Sequence, residues 1–170
     1  MMIPCTIVQL SLSHILLSHA QVPQFTTVIC AAMRTALRTQ LVSIEAENMS
    51  GFERNGDDFE KYFKRWDLQT HLITTSKDEV LGFAICGSEG RGKVFLYELH
   101  VKSGHRHRGL ATALLSLCER SSTARGRTSP LLELQVHAAN KEALSFYTHA
   151  GFVQMGVAGD GDVLVLQRKR

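Results

Sequence analysis

The chain has 170 residues, of which 44% are hydrophobic and 21% charged, and its formal net charge at pH 7 is +3. That length supports one compact core, and the charge content is typical of a globular domain rather than of a disordered chain. A nucleic-acid binder gathers its basic residues on one face. The basic runs at residues 106–108 and 168–170 are too short for this, so we expect no direct contact with nucleic acid.

The four cysteines of the chain are Cys5, Cys30, Cys86 and Cys118. They show no CxxC spacing and no histidines at zinc-ligand intervals, so the sequence predicts no metal. Cys86 and Cys118 fall in apolar runs and are expected to be buried, reduced thiols, which indicates the cytoplasm or the nucleus. The sequence has no apolar run of about 18 residues, and we expect no membrane partner.

The first 33 residues contain no Lys, Arg, Asp or Glu, so the basic segment that opens a secretory signal is missing from them. We interpret residues 1–24 as an N-terminal extension of uncertain order, for which a targeting role stays open, and residues 25–170 as one domain. Apolar residues at steps of three and four predict a helix over residues 25–47. An acidic start followed by an apolar stripe predicts a short helix over residues 57–66.

From residue 71 onward, the pattern predicts an α/β domain with a mixed sheet. Strands are predicted over residues 71–75, 80–86, 94–101, 131–136 and 163–167, and helices over residues 109–119 and 140–149. The strand over residues 94–101 is apolar on both faces apart from Glu98 and His100. We therefore expect it to be a buried central strand.

The stretch between this central strand and the next helix predicts an anion site. The start of a helix presents unpaired amides and about half a positive charge to an anion. Gly109 leaves room for a phosphate to approach the backbone, and Arg106 and Arg108 add positive charge. The same pattern also fits a surface loop with incidental arginines. His105 and His107 flank Arg106 and are expected to be exposed beside the phosphate rather than to bind a metal.

A second informative stretch follows the strand over residues 131–136. Asn140 is placed to cap a helix, and Gly151 and Phe152 end that helix and return the chain to a strand. The two stretches read Arg106-His107-Arg108-Gly109-Leu110-Ala111 and Asn140-x-x-Ala143-x-x-Phe146-Tyr147-x-x-Ala150-Gly151-Phe152. Their order and separation resemble two motifs of the GCN5-related N-acetyltransferase (GNAT) superfamily, over roughly residues 70–167.

This resemblance implies a GNAT fold, with a central mixed sheet flanked by helices, in a single domain with an N-terminal helical extension. It implies an N-acyltransferase that uses acetyl-CoA as co-substrate and no metal. Backbone amides of residues 99–101 would contact the pantetheine arm beside a bulged strand, and those of residues 106–111 the pyrophosphate. The implied cofactor-binding residues are Leu99, His100, Val101, Arg106, His107, Arg108, Gly109, Leu110, Ala111 and Asn140.

A narrower resemblance rests on Tyr97-Glu98-Leu99-His100-Val101, which is similar to the Tyr-Glu-Val-Gln-Leu signature of NatD-type N-terminal acetyltransferases. Those enzymes modify histone tails that begin Ser-Gly-Arg-Gly. Asn48-Met49 ahead of Phe52-Glu53 is similar to their Asn-Met element, although they carry tyrosine in place of Phe52 and threonine in place of Gln135. The resemblance implies an enzyme that acts on protein N-termini, with Tyr97, Phe52 and Gln135 at the substrate. The oligomeric state stays open, with a monomer favoured. Another amine substrate, or a non-catalytic acyl-CoA-binding module, stays open.

Acetyl transfer needs a deprotonated amine and a proton for the leaving thiolate. Glu98 is the only carboxylate of its strand, and it is interpreted as a general base or an anchor for the amine, or else as an ion pair with a neighbouring arginine. The family often has a tyrosine at the position of Tyr147, which would be the general acid or a core aromatic. Tyr97 either faces the peptide or packs in the sheet. His137 follows its strand and is interpreted as a turn residue, or else as a residue that approaches the substrate.

Overall fold

The computed structural model describes residues 7–11, 31–49, 62, 68–75, 77–89, 92–123 and 131–169. Within these ranges the helices are α1 (Ala31–Asn48), α2 (Leu110–Thr123) and α3 (Lys141–His149). The strands are β1 (Ile7–Ser11), β2 (Leu68–Thr74), β3 (Val80–Ser88), β4 (Lys93–Val101), β5 (Leu131–His137), β6 (Val153–Ala158) and β7 (Val163–Lys169). Apart from Tyr62, the helix predicted over residues 57–66 lies outside the described residues. No helix among the described residues is long and apolar enough to cross a membrane.

The described strands form one seven-stranded sheet in the order β1-β2-β3-β4-β5-β7-β6. The pairs β1–β2 and β4–β5 are parallel, and the other neighbours are antiparallel. The predicted mixed sheet is therefore confirmed. The sequence pattern did not predict β1, which lies inside the segment interpreted as an N-terminal extension. The domain boundary at residue 24 stays a prediction.

Helices cover both faces of the sheet. Successive side chains of a strand point to opposite faces, and those of β3 alternate between two core clusters. Phe83 and Ile85 pack with Leu41 and Ile44 of α1. Ala84 and Cys86 belong instead to the cluster that contains the buried residues of α2 and α3. Helix α1 thus lies on one face, and α2 and α3 on the other.

The turn after α3 is held by Arg168 of β7. Its guanidinium donates to Glu119 Oε1 at 2.6 Å and to the Ala150 carbonyl at 2.7 Å, and it lies 4.9 Å from the ring centroid of Phe152. Gly151 has a φ of +85°, the left-handed conformation that commonly ends a helix. These contacts fix the direction of α3, whose other end faces the site described below.

Strand β4 carries a bulge at Tyr97. Its neighbours on either side pair with successive residues of β3, Leu96 with Cys86 and Glu98 with Ile85, so Tyr97 has no counterpart. A bulge of this kind re-aims the side chains that follow it. Leu96 belongs to the α2 cluster, whereas His100 stacks on Phe83 of the α1 cluster. Strand β4 is the fourth of the seven described strands, as expected of a central strand, and the two polar residues excepted in the prediction, Glu98 and His100, share the α1 face beyond the bulge.

Candidate active site

A cavity of about 990 Å³ lies where β4 ends and α2 and α3 begin. It exists because β4 and β5 separate. Their parallel pairing runs from Lys93 to Leu96 of β4, while β5 continues to His137 on its pairing with β7. The backbone N–H and C=O groups of residues 97–101 on the edge of β4 that faces β5 therefore make no ladder bonds to β5.

Most of the predicted cofactor residues line this cavity. They are Leu99, His100, Val101, Arg106, His107, Gly109, Leu110, Ala111 and Asn140, and Tyr147 lines it too. Arg108, Glu98, Tyr97 and Gln135 are not among the lining residues. Phe52 lies outside the described residues. Glu47 and Glu142 also line the cavity, and no motif of the sequence predicts them there.

The loop before α2 has the backbone geometry of an anion site. His107 and Gly109 adopt left-handed φ values of 59° and 76°, and such alternation turns successive amides toward one point. The first helical bond runs from Ala113 N to Gly109 O at 3.0 Å, so the amides of residues 110–112 precede the helical ladder. A Cβ built on Gly109 would meet nothing within 4 Å, which leaves open space beside Gly109 at the start of the helix.

Asn140 is the N-cap of α3. Its Oδ1 accepts a hydrogen bond from Ala143 N at 3.1 Å, as the sequence predicted. Asn140, Glu142 and Ala143 line the cavity, so the start of α3 faces it. Two helices therefore direct their positive ends into the same space.

The guanidinium of Arg106 is hydrogen-bonded to side chains of two helices. One terminal nitrogen donates to both carboxylate oxygens of Glu142 at 3.0 Å, and the other donates to Asn48 Oδ1. Asn48 also donates to the Val101 carbonyl at 3.3 Å. The end of α1, the end of β4 and the start of α3 are thus joined through one guanidinium. These partners are 36 and 58 residues away, and no local pattern predicts them.

Glu98 and His100 form a buried pair. Their side chains are 5% and 7% exposed, and Glu98 Oε2 lies 2.7 Å from His100 Nε2. The partner identified here is a histidine, whereas the sequence had suggested an arginine. Phe83 stacks on the imidazole with the ring centroids 5.0 Å apart.

Tyr147 reaches the cavity from α3 and is buried. Burial, and secondarily the negative charge of Glu98, raises the pKa of Tyr147 well above its usual value. The hydroxyl is therefore protonated at neutral pH. The same shift makes it a weaker acid than an ordinary tyrosine, so it gives up its proton only to a strongly basic neighbour.

Tyr97, Gln135 and His137 lie away from these groups. The hydroxyl of Tyr97 donates to Glu89, and its ring lies 4.8 Å from Phe95 and 5.4 Å from Tyr62. Gln135 is exposed on β5. His137 Nδ1 accepts from Ala139 N at 3.1 Å, which agrees with its interpretation as a turn residue. The ring of Tyr97 thus contacts aromatic neighbours at the sheet, and its contact with the substrate stays a prediction.

One cluster of potential ligands escaped the spacing analysis. His71, Cys86 and Cys118 come from β2, β3 and α2, and their ligand atoms lie within 4.8 Å of one another in the core. Burial raises the pKa of the Cys118 thiol, and a hydrogen bond with Cys86 adds to this. Both thiols are buried and reduced, as predicted. Structural zinc sites use four ligands, and this cluster offers three.

Comparison with known proteins gives one family and a set of solved structures. Residues 38–152 match the sequence model of the Acetyltransferase (GNAT) family. PaiA N-acetyltransferase from Thermoplasma acidophilum, solved in complex with coenzyme A, is 18% identical, with a TM-score of 0.62 over 80% of this chain and 94% of that one.

Two further structures share the fold at similarly low identity. The ribosomal-protein-S18-alanine N-acetyltransferase from Escherichia coli is 19% identical, with a TM-score of 0.59 over 78% of this chain and 88% of that one. Tetrahymena GCN5 is 14% identical, with a TM-score of 0.65 over 82% of this chain and 89% of that one.

Proposed function

Because this chain belongs to the acetyltransferase (GNAT) family and is an N-acetyltransferase, we propose that it acetylates the α-amino group of protein N-termini, with acetyl-CoA as co-substrate. The observation that carries this proposal is the cavity at the split between β4 and β5. One part of it offers backbone amides to phosphates, and another lies beside the pair Glu98–His100 and the hydroxyl of Tyr147.

The cavity fits acetyl-CoA in size and in chemistry. A volume of about 990 Å³ is at the upper end of ordinary ligand sites. The amides around Gly109 would hold the pyrophosphate, and the edge of β4 that faces β5, from Leu99 to Val101, would pair with the amide groups of the pantetheine arm. The coenzyme A bound to PaiA, which has the same fold, supports this assignment.

The reaction requires the protein to accept a proton from the amine and to supply one to the thiolate. Bound acetyl-CoA supplies an activated acetyl group. The amine nitrogen forms a bond to the thioester carbon, the C–S bond breaks, the amine gives up a proton, and the thiolate takes one. The pair Glu98–His100 is the proton-accepting side of the site. Tyr147, whose protonated hydroxyl lines the cavity, is the proton donor for the thiolate, although its raised pKa makes it a weaker acid than an ordinary tyrosine.

We propose histone-type tails that begin Ser-Gly-Arg-Gly as the substrate. The support is the sequence from Tyr97 to Val101, together with Asn48, whose side chain bonds the end of β4. The Escherichia coli structure, named for a protein N-acetyltransferase, is consistent with a protein substrate. Such N-termini are made in the cytoplasm and assembled in the nucleus, which we propose as the locations of this enzyme.

The substrate is tested with four amines and acetyl-CoA. They are a Ser-Gly-Arg-Gly peptide, the same peptide with a blocked N-terminus, an N-blocked lysine peptide and a polyamine. We expect thiol release with the free peptide, and mass spectrometry should locate the acetyl group on its α-amine. Release with the lysine peptide or the polyamine alone would contradict N-terminal specificity. The absence of release with every amine would favour a binding module.

The arginine that joins α1, β4 and α3 gives a test of the cofactor loop. Arg106→Ala is expected to weaken acetyl-CoA binding about tenfold, because the loop loses charge-assisted bonds that solvent partly screens; the guanidinium is 31% exposed. Arg108→Ala is the matched control, since Arg108 is exposed and does not line the cavity. Calorimetric titration compares the two. Equal losses from both would show that general positive charge, and not this set of contacts, supports binding.

A further inference from the structure

We propose that the imidazole of His100 takes the proton from the attacking amine, and that Glu98 acts as the positioning residue that holds and charges this imidazole. The inference rests on the N-acetyltransferase site proposed above, but not on the identity of the amine. It assigns to His100 a side-chain role in addition to the backbone role implied by the sequence.

The first argument is access. His100 is one of the residues that line the cavity, whereas Glu98 is not. The carboxylate is 5% exposed, and its Oε2 faces the imidazole at 2.7 Å. His100, and not Glu98, is therefore the member of the pair that lies at the cavity wall.

The second argument is orientation. The bulge at Tyr97 turns Glu98 and His100 to the same face of β4, and Phe83 stacks on the imidazole at 5.0 Å with an interplanar angle of 29°. A Cβ on Gly82 would lie 2.8 Å from the carbonyl of His100, so glycine at this position lets β3 approach the backbone of His100 closely. The position of the imidazole is therefore set by the close approach of β3 to the His100 backbone and by the stacking of Phe83 on the ring.

The third argument is proton chemistry. A carboxylate bonded to Nε2 requires the proton on that nitrogen, which leaves Nδ1 as the basic atom. When Nδ1 takes the proton of the amine, the new positive charge is neutralised by Glu98 in a water-poor site, where such a pair is strong. The proton on Nδ1 then passes to solvent. A buried carboxylate that orients a histidine in this way is a recurrent arrangement in acyl transfer.

Other ionisable groups surround the pair. Tyr147 approaches from α3, and the negative charge of Glu98 contributes to its raised pKa. Across the cavity are Glu47 from α1 and His105 and Arg106 from the loop. The stacked residue of β3, Phe83, is uncharged. Because several groups here can titrate, the substitution that moves or removes a limb of the pH profile identifies the group responsible. The pH at which the limb lies would not be enough on its own.

The test compares His100→Gln with the wild type on whichever amine the wild type acetylates. Glutamine retains a donor for Glu98 but cannot accept the proton, so we expect kcat to fall about 10²- to 10⁴-fold, with acetyl-CoA affinity within twofold. His137→Gln is the matched control, because His137 is a turn residue outside the cavity. The wild-type rate tests the proposed function, and the ratio of the rates tests this inference.

The pH profile separates the two possible bases, and it does not depend on how well His100→Gln folds. If His100 takes the proton, Glu98→Gln keeps an acidic limb in the kcat profile and moves it to lower pH, because the imidazolium has lost its counter-charge. If Glu98 takes the proton, the same variant loses the limb. Loss of the limb in Glu98→Gln, or full activity in a folded His100→Gln, would overturn the proposal.

Discussion

Gly109→Val is expected to reduce acetyl-CoA affinity about 10²- to 10³-fold or more. Gly109 has a φ of +76°, and a β-branched residue in that conformation is strained by about 1–3 kcal/mol. The valine either distorts the loop, which scatters the amides that precede α2, or keeps the loop and fills the open space beside residue 109. Both outcomes remove the approach of a phosphate to the backbone. Calorimetric titration with acetyl-CoA measures the loss.

Gly92→Val is the matched control. Gly92 has a φ of +80°, and a Cβ there would also meet nothing within 4 Å, so the strain is similar. It lies at the start of β4, whereas the cavity lies at the end of that strand. We expect Gly92→Val to lower the melting temperature and to leave affinity within twofold. A smaller loss for Gly109→Val than for Arg106→Ala would reject the backbone cradle and favour recognition by side chains.

Glu98→Gln is expected to lower kcat about 10²- to 10⁴-fold at neutral pH. The substitution keeps the shape of the side chain and one hydrogen bond to His100, but it removes the charge that the proton-accepting pair requires. Acetyl-CoA affinity is expected to stay within twofold, because Glu98 does not line the cavity. Steady-state kinetics and a binding titration on the same preparation measure the two effects.

Glu133→Gln is the control for Glu98. Glu133 is a half-buried carboxylate of β5, the strand next to β4. Its Oε2 lies 2.9 Å from Lys93 Nζ, and it does not line the cavity. Its loss is expected to lower stability and to leave kcat within twofold. Full activity in Glu98→Gln at neutral pH would mean that the pair with His100 is structural.

Local features of the site could be predicted from the sequence. The cap at Asn140 depends on a residue three positions away, and the turn at Gly109 depends on the loop and helix that contain it. The mixed sheet followed from the order of its elements. Strand β6 was expected only as a return to a strand after Gly151. Its alternate residues Val153, Met155 and Val157 are apolar but about 60% exposed, the reverse of a strand whose apolar side is buried.

Features that depend on distant residues could not be predicted. The partners of Arg106 come from α1 and α3, and His71 meets Cys86 and Cys118 only when β2, β3 and α2 are assembled. The face occupied by Glu98 and His100 depends on a one-residue bulge, and a shift of one residue reverses every following side chain. Phe52, predicted to contact the substrate, lies outside the described residues and stays a prediction.

The central claim is that the cavity between β4 and α3 binds acetyl-CoA through its phosphates and its pantetheine arm. The direct measurement is the melting temperature of the full chain with and without millimolar acetyl-CoA, with adenosine as the comparison. A ligand that binds only the folded chain stabilises it by mass action, by about 2.7 kcal/mol at 100 times the dissociation constant. We predict a clear rise with acetyl-CoA and little change with adenosine. An unchanged melting temperature in millimolar acetyl-CoA, or an equal rise with adenosine alone, would contradict the claim.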